Sequence, residues 1–223
     1  METLIEWDKA LLLLINGCNS PFFDGVMYAI SDRLVWIPLY LSMIYVLIRT
    51  YRFNAIYALL AVGLTVLLAD QFASGFCKPF FERLRPTHDP LLSPLVHVVN
   101  GYTSSLYGFC SSHASNTCGI AMLTALLFSC RGGYALVVGS WAALNCYSRM
   151  YLGVHYPGDV LCGAAAGLLF GYLCYRLFLL CPPIDKITSM RPEVATSSIK
   201  VVVVVYAATL LSIVGYAIWM VVC

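Results

Sequence analysis

The chain has 223 residues, of which 61% are hydrophobic and 11% are charged, so it carries more apolar surface than one soluble core of this size could bury. Its 13 basic and 11 acidic residues give a net charge of +2 without a long run of one sign, which argues against a nucleic-acid partner. We therefore predict an all-α integral membrane protein in contact with a lipid bilayer.

The N-terminus carries Glu2, Glu6 and Asp8 around a short apolar segment. A secretory signal peptide begins with positive charge, so this segment is not predicted to be one. Residues 4–15 are too few to cross a bilayer, because a spanning helix needs about 17 to 25 mostly apolar residues. We predict an N-terminal interfacial helix, followed by a turn at residues 16–21. A crossing helix is the less favoured alternative.

Six later segments are apolar enough to be candidate membrane spans. They cover residues 34–48, 55–76, 113–130, 134–147, 158–180 and 201–222. The first is short unless a helix beginning near Phe22 continues through Asp32 and Arg33. Residues 131–133 (Arg-Gly-Gly) are predicted to form the turn between the third and fourth spans. The predicted architecture is one membrane domain over residues 1–223, a bundle of about six transmembrane helices.

Basic residues near span ends give a weak indication of orientation, because they favour the cytoplasmic side. The polar stretches 78–112 and 181–200 are predicted to lie on opposite sides. If residues 78–112 lie outside, seven basic residues are cytoplasmic, namely Arg49, Arg52, Arg131, Arg176, Lys186, Arg191 and Lys200. Six are then outside, namely Lys9, Arg33, Lys78, Arg83, Arg85 and Arg149. The cytoplasmic majority of basic residues becomes firmer if Lys78, Arg85 and Arg149 lie outside because of their function, since only three other basic residues are then outside.

The ten cysteines do not indicate a metal centre, because the sequence contains no Cys-x-x-Cys pair and several lie within apolar runs. Cys77 and Cys110 flank candidate functional segments, and a disulfide between them is an open alternative to two free thiols. We predict neither a bound metal nor a cofactor.

Three segments carry most of the polar chemistry at the outer ends of the predicted spans. They are KPFFERLRP at residues 78–86, CSSH at 110–113 and SRMYLGVHYPGD at 148–159. Lys78 and Arg85 are seven residues apart and would share one face if that stretch were helical. Arg149 approaches from another segment, so the three cations could bind one oxyanion from several sides. Anchoring to lipid headgroups explains any one of these cations but is less favoured for all three.

Ser111, Ser112 and His113 begin the third span, where free backbone N–H groups and the helix dipole favour an anion. A serine that only caps the helix is the simpler interpretation, and the two roles are compatible. His113 would add a proton donor, unless it is a hydrogen-bonded structural residue.

His155 and Asp159 are four residues apart, with Pro157 and Gly158 beginning the fifth span between them. Asp159 can then accept a hydrogen bond from one ring nitrogen and leave the other free to attack phosphorus. A plain helix-start carboxylate and a polar interface histidine are the structural alternatives.

Taken together, the three segments resemble the three-part signature of the type-2 phosphatidic acid phosphatase superfamily. The matching residues are Lys78-x6-Arg85-Pro86, Ser111-x-His113 and Ser148-Arg149-x5-His155-x3-Asp159, in the family's order. The motifs lie within residues 78–159, and the framing helices extend the resemblance over most of the chain.

The resemblance implies a role for each matching residue. His155 would form a phosphohistidine, Asp159 would orient it, and His113 would protonate the leaving oxygen and then activate water. The phosphate would be bound by Lys78, Arg85, Arg149, Ser111 and the Ser112 backbone N–H. No metal would be required.

The second motif departs from the family's usual Pro-Ser-Gly-His, since this chain has Cys110-Ser111-Ser112-His113. If the site needs a positive φ at the third position, Ser112 would be strained there.

The resemblance also sets the functional alternatives. Vanadium haloperoxidases share the anion cradle but are soluble and large. An anion carrier would place ionisable residues near the membrane midplane, whereas these spans are nearly bare of charge except for Asp70. That residue would support Lys78 or cap a polar pocket.

The short form resembles bacterial members that act at the outer face of the cytoplasmic membrane. Their substrates include lipid A phosphates, undecaprenyl diphosphate and phosphatidylglycerol phosphate. The loop after Pro86 carries His88, Asp89, His97, Asn100 and Tyr102 and is predicted to overhang the site. It holds no added basic cluster for a second phosphate, which slightly favours a monoester such as a 1- or 4'-phosphate of lipid A.

Overall fold

A computed structural model of the chain describes residues 2–129, 133–181 and 192–222. The described part is helical, with one isolated bridge between Leu84 and Tyr107 and no strand, and the all-α prediction is confirmed. The α-helices are α1 Glu2–Gly17, α2 Pro21–Ser31, α3 Ile37–Tyr51, α4 Ala55–Asp70, α5 Lys78–Phe81, α6 Ser112–Leu127, α7 Tyr134–Tyr151, α8 Pro157–Phe178 and α9 Pro192–Val222.

Three stretches of the described chain are long and apolar enough to cross a membrane, namely Leu34–Phe81, Pro157–Phe178 and Ser198–Val222. The first is interrupted at Arg52, whose φ is 50°. Arg33 and Lys78, near its two ends, line one cavity, so α3 and α4 run in opposite directions. The bent pair α1 and α2 would make a fourth candidate. A count of six spans stays a prediction.

The last residues of α3, α6 and α8 meet at one pole of the helix bundle, around the aromatic rings of Tyr51 and Phe178. Tyr51, at the end of α3, donates a hydrogen bond from its hydroxyl to the Leu127 carbonyl of α6 at 2.7 Å. Its ring meets that of Phe178, at the end of α8, with centroids 5.6 Å apart. Because α3, α6 and α8 end here, their first residues meet at the opposite pole.

Small residues let α6 and α8 pack with their backbones close together. A side chain at Gly163 or Gly167 would collide with the carbonyl oxygens of Ser111 and Ser115, respectively. The close approach allows the Ser111 N–H to donate to the Asp159 carbonyl at 3.0 Å. The second and third sequence segments are therefore joined through the main chain.

The N-terminal segment is a helix followed by a sharp bend, as predicted. α1 and α2 are inclined at 115°, and Asn16 fixes the bend by donating to the carbonyl oxygens of His97 and Tyr151 at 2.9 and 2.7 Å. One face of α1 is exposed and apolar, carrying Leu4, Trp7, Leu11 and Leu14. Its seat in the membrane interface stays a prediction.

Two conditions considered for helix continuity are not met. α2 ends at Ser31, where Asp32 is extended, so it does not continue through Arg33. The stretch from Lys78 to Arg85 is not one helix, because α5 ends at Phe81 and Glu82 adopts a left-handed conformation. The predicted turn residues 131 and 132, and the basic residues 186 and 191, lie outside the described part of the chain.

Candidate active site

The pole of the bundle opposite Tyr51 contains a cavity of about 260 Å³. It brings together side chains from all three sequence segments, namely Lys78, Arg85, Ser112, His113, Arg149 and His155. Since a water molecule takes about 30 Å³, this space can hold a phosphate group with several waters. The cavity is also lined by Arg33, Asp70, Ser74, Ser104, Ser105 and Asn116.

Lys78 enters the cavity at the end of a π-helical stretch, Gln71–Cys77. Its ammonium donates to the hydroxyls of Ser112 and Ser74 at 2.8 and 3.1 Å. The Ser74 hydroxyl in turn lies 3.3 Å from Asp70 Oδ1. Asp70 thus supports Lys78 through Ser74 rather than by direct contact.

Ser112 takes the helical position that begins α6. It is absent from the described non-glycine residues with positive φ, which are Arg52, Glu82, Asn100 and Ser129. The strain that a glycine-to-serine departure would cause at a positive φ therefore does not arise. The serine instead provides a hydroxyl that fixes the Lys78 ammonium.

Arg85 is 3% exposed and is held by four acceptors, one of them the Ser105 hydroxyl, to which its Nη2 donates at 3.3 Å. Its Nε donates to the Ser105 carbonyl at 2.6 Å, and its Nη1 donates to the Val154 carbonyl at 2.8 Å. Nη1 also lies 2.7 Å from His155 Nε2. Burial and the nearby Arg149 charge lower the pKa of Arg85 to about 10, so it remains a cation at neutral pH.

His155 lies in the turn between α7 and α8 and is 2% exposed. A guanidinium can only donate, so the contact with Arg85 makes Nε2 an acceptor and leaves the ring proton on Nδ1. Nδ1 lies 3.3 Å from Asp159 Oδ2. Burial, followed by the charges of Arg85 and Arg149, holds the pKa of His155 well below its usual range. The imidazole is therefore neutral, with a lone pair on Nε2.

A glycine makes the turn that presents His155. Gly153 has a φ of +69°, and a side chain there would collide with Val96. The turn is closed by the Val154 N–H, which donates to the Arg149 carbonyl at 3.2 Å. This geometry brings the end of α7 and the start of α8 to the same cavity wall.

Asp159 lies in the first turn of α8 and is fully buried. Its Oδ2 accepts from the Tyr156 N–H at 3.1 Å, which closes a capping box. Its Oδ1 accepts from Arg83 Nη1 at 2.8 Å. Asp159 thus serves as a helix cap and as the partner of His155, and the two interpretations of the sequence are compatible.

Arg149 is 1% exposed and stands at the end of α7. Its Nη1 donates to the hydroxyls of Ser31 and Tyr102, the latter at 2.8 Å. Its Nε is buried without a hydrogen-bond partner in the described part of the chain. Since Arg149 lines the cavity, that N–H is a candidate donor to an oxyanion there.

His113 and Ser111 are placed differently by the first turn of α6. His113 lines the cavity together with Asn116, which lies on the same helix face. The buried Ser111 hydroxyl caps α6 by accepting from the Ala114 N–H at 3.4 Å. The capping interpretation of Ser111 is confirmed, and its part in phosphate binding stays a prediction.

The loop after Pro86 is tied to the N-terminal helices. Asp89 pairs with Lys9 at 2.8 Å and His97 pairs with Asp24 at 2.9 Å. Tyr102 alone of the five loop residues named from the sequence contacts a predicted phosphate-binding residue, Arg149. The loop residues that line the cavity are two serines, Ser104 and Ser105.

Sequence reasoning missed several residues that contact or line the site, namely Asp8, Ser31, Arg33, Ser74, Arg83, Ser104 and Ser105. Ser74 could have been found, because it precedes Lys78 by one helical turn on the same face. Asp8 gave no local signal, since it reaches the site only through the tertiary fold. Within the described residues, no group of three His, Cys, Asp or Glu side chains could hold a metal ion. Cys77 and Cys110 are buried free thiols.

The sequence is similar to that of proteins of known function. Residues 39–182 match the family model described as PAP2 superfamily. The lipid A 4'-phosphatase of Bacteroides thetaiotaomicron is 38% identical over 177 residues, which is 78% of each chain. That of Porphyromonas gingivalis is 37% identical over 180 residues, 80% of this chain and 76% of the relative.

Two solved structures share the fold. The transmembrane PAP2-type phosphatidylglycerolphosphate phosphatase of Bacillus subtilis superposes with a TM-score of 0.59 at 25% identity, covering 79% of this chain and 87% of that chain. Aquifex aeolicus LpxE gives a TM-score of 0.59 at 24% identity, covering 75% of this chain and 93% of that chain.

Proposed function

The chain belongs to the PAP2 superfamily, and we propose that this multi-pass membrane lipid phosphatase removes the 4'-phosphate of lipid A through a phosphohistidine on His155. The observation that carries the proposal is the neutral, buried His155, which lines a cavity rich in cations and whose Nε2 accepts from Arg85 there. A phosphate monoester needs such an arrangement, because its negative charge must be neutralised before a nucleophile can approach.

In the first step, phosphate oxygens bind Lys78, Arg85 and the free N–H of Arg149. As they take over the Arg85 donor, the Nε2 lone pair of His155 becomes free to attack phosphorus. The P–N bond forms while the bond to the lipid oxygen breaks, and His113, which takes up a proton from solvent as the negatively charged phosphate binds, gives that proton to the lipid oxygen. Asp159 accepts from Nδ1–H and stabilises the positive charge that develops on the ring.

In the second step, water replaces the lipid alcohol. Neutral His113 accepts a proton from the water as the oxygen attacks phosphorus and the P–N bond breaks. Inorganic phosphate leaves, His155 returns to its neutral form, and His113 returns its proton to solvent before the next cycle. The two steps balance without a metal ion or cofactor.

The lipid A assignment is supported by the two relatives named lipid A 4'-phosphatase at 38% and 37% identity. We further propose that the chain resides in a bacterial inner membrane with its cavity facing the periplasm, where a lipid phosphate in the outer leaflet would meet it. The weak majority of basic residues on the other face agrees with this orientation.

A second candidate, a diphosphate lipid such as undecaprenyl diphosphate, is favoured by Arg33. This residue lines the cavity as a fourth cation, with Asp70 the one carboxylate in the lining. Within residues 2–129, 133–181 and 192–222 it forms no ion pair. A positive charge beyond those needed for a monoester could bind a second phosphate. At the sequence level, a second phosphate site was considered only in the loop after Pro86. Arg33, which precedes α3, was therefore missed. Phosphatidylglycerol phosphate is a further monoester alternative.

The experiment compares purified protein on lipid A, undecaprenyl diphosphate and phosphatidylglycerol phosphate. We expect free phosphate from lipid A at the highest rate, and mass spectrometry should locate the loss at the 4'-position. Faster release from either other lipid would reassign the substrate. Release from none of the three would favour a non-catalytic anion-binding or transport protein.

A further inference from the structure

We propose that Arg83 is a positioning residue for the carboxylate of Asp159, and that Asp8 on α1 holds Arg83 in place. The N-terminal helix would then be a working part of the active site. This inference rests on the proposed function, because it concerns how Asp159 supports His155 in that reaction.

The guanidinium of Arg83 bridges two carboxylates from distant parts of the chain. Its Nη1 donates to Asp159 Oδ1 at 2.8 Å, and its Nη2 donates to Asp8 Oδ2 at 2.6 Å. The other oxygen of Asp8 accepts from the Gly158 N–H at 2.7 Å. Asp8 therefore binds both Arg83 and the first turn of α8, the turn that carries Asp159.

The guanidinium plane is also fixed by an aromatic ring. The central carbon of Arg83 lies 3.9 Å from the centroid of the Tyr156 ring. A planar fork can bind two carboxylates while stacking on a ring, whereas a lysine ammonium is a point charge without a flat face. The arrangement therefore calls for arginine rather than for any cation.

The two oxygens of Asp159 have different partners. Oδ2 lies near the Tyr156 N–H and His155 Nδ1, whereas Arg83 supplies the hydrogen bond to Oδ1. Asp159 is fully buried. Without Arg83, a buried carboxylate oxygen would be unpaired, which is relieved by taking up a proton or by rotating away from His155. Either change weakens the support for the ring in the transition state.

The charged and titratable groups around Arg83 come from three parts of the chain. They are Asp8 and Lys9 on α1, Arg85 and Asp89 in the loop, and His155, Tyr156 and Asp159 at the start of α8. Lys9 and Asp89 form an ion pair beside this cluster at 2.8 Å. Lys9 thus ties the same helix to the protein without touching Asp159, which makes it the matched control.

The test compares full-length wild type with Arg83→Gln, Arg83→Lys, Asp8→Asn and Lys9→Gln, each purified in detergent and checked by thermal unfolding. The kcat and KM for lipid A are measured across pH. We expect Arg83→Gln to lower kcat roughly tenfold or more while KM changes by less than about threefold, because a buried charge loses its partner but the phosphate cations remain. The acid limb of the kcat profile should move to higher pH, since Asp159 protonates more readily.

Arg83→Lys should not restore kcat, and Asp8→Asn should shift the acid limb in the same direction by less. Lys9→Gln should leave both kcat and the acid limb at wild-type values. A loss of kcat without movement of the acid limb, a change in KM alone, or equal effects of Lys9→Gln and Asp8→Asn would overturn the inference. Wild-type protein that releases no phosphate would instead overturn the proposed function.

Discussion

Nη1 of Arg85 lies 2.7 Å from Nε2 of His155, so the arginine that is predicted to bind phosphate directly contacts the predicted nucleophile. The contact favours the neutral imidazole, because a protonated ring would place two donors and two positive charges against each other. It also occupies the Nε2 lone pair until a phosphate takes over the Arg85 donor. The relationship links the protonation state of His155 to the charge of a neighbouring arginine.

The first prediction concerns pH. Since the pKa of His155 is held well below its usual range, the nucleophile stays neutral as the pH falls through about 6.5, where an ordinary histidine would protonate. The acid limb that His155 contributes to kcat/KM should therefore lie below pH 6.5. Arg85→Gln should move that limb upward, in addition to weakening substrate binding. A limb at or above the ordinary histidine value in wild type would contradict the prediction.

The second prediction tests covalent catalysis. His155→Ala should lower phosphate release by about 1,000-fold or more, because no other group can form the intermediate. Wild type quenched during turnover should carry acid-labile phosphate, and the variant should carry none. Asp159→Asn should lower the rate less. The matched control is His88→Ala, since His88 contacts Thr87 rather than the cavity. Full activity of His155→Ala in detergent would contradict the assignment.

The sequence predicted the parts of this site that depend on local spacing. The four-residue interval between His155 and Asp159 places both at the start of α8 because a helix begins at Pro157. The convergence of Lys78, His113 and His155 followed from counting spans, since each segment lies where a helix begins or ends at one pole.

The remainder depended on contacts that local patterns do not encode. Arg83 meets Asp8 although 75 positions separate them, and no periodicity links the two segments. The stretch from Lys78 to Arg85 is not one helix, because Glu82 adopts a left-handed conformation. A tertiary contact, the Arg85 N–H donating to the Leu106 carbonyl at 3.0 Å, fixes the extended chain that follows.

The third prediction concerns Ser112, where the family usually has glycine. Its hydroxyl accepts from Lys78 at 2.8 Å, so Ser112→Gly and Ser112→Ala should each raise KM by roughly threefold to tenfold through a less ordered ammonium. Because the backbone there is helical, glycine should offer no relief of strain. Thermal unfolding measured alongside the kinetics checks this point. A glycine variant more active than wild type, with alanine less active, would show that backbone conformation matters more than the hydroxyl.

The fourth prediction uses Arg33 to separate monoester from diphosphate substrates. Farnesyl monophosphate and farnesyl diphosphate carry the same chain and differ by one phosphate, so the ratio of their kcat/KM values isolates the second anion. If Arg33 binds that anion, Arg33→Gln should lower the diphosphate-to-monophosphate ratio roughly tenfold, as expected for one lost charge-assisted contact. Arg176→Gln is the control, because Arg176 donates to Tyr172 on α8 and does not line the cavity. An unchanged ratio in Arg33→Gln would mean that Arg33 does not bind a second phosphate. The remaining cations suffice for one phosphate, so this result would favour the lipid A monoester over a diphosphate lipid.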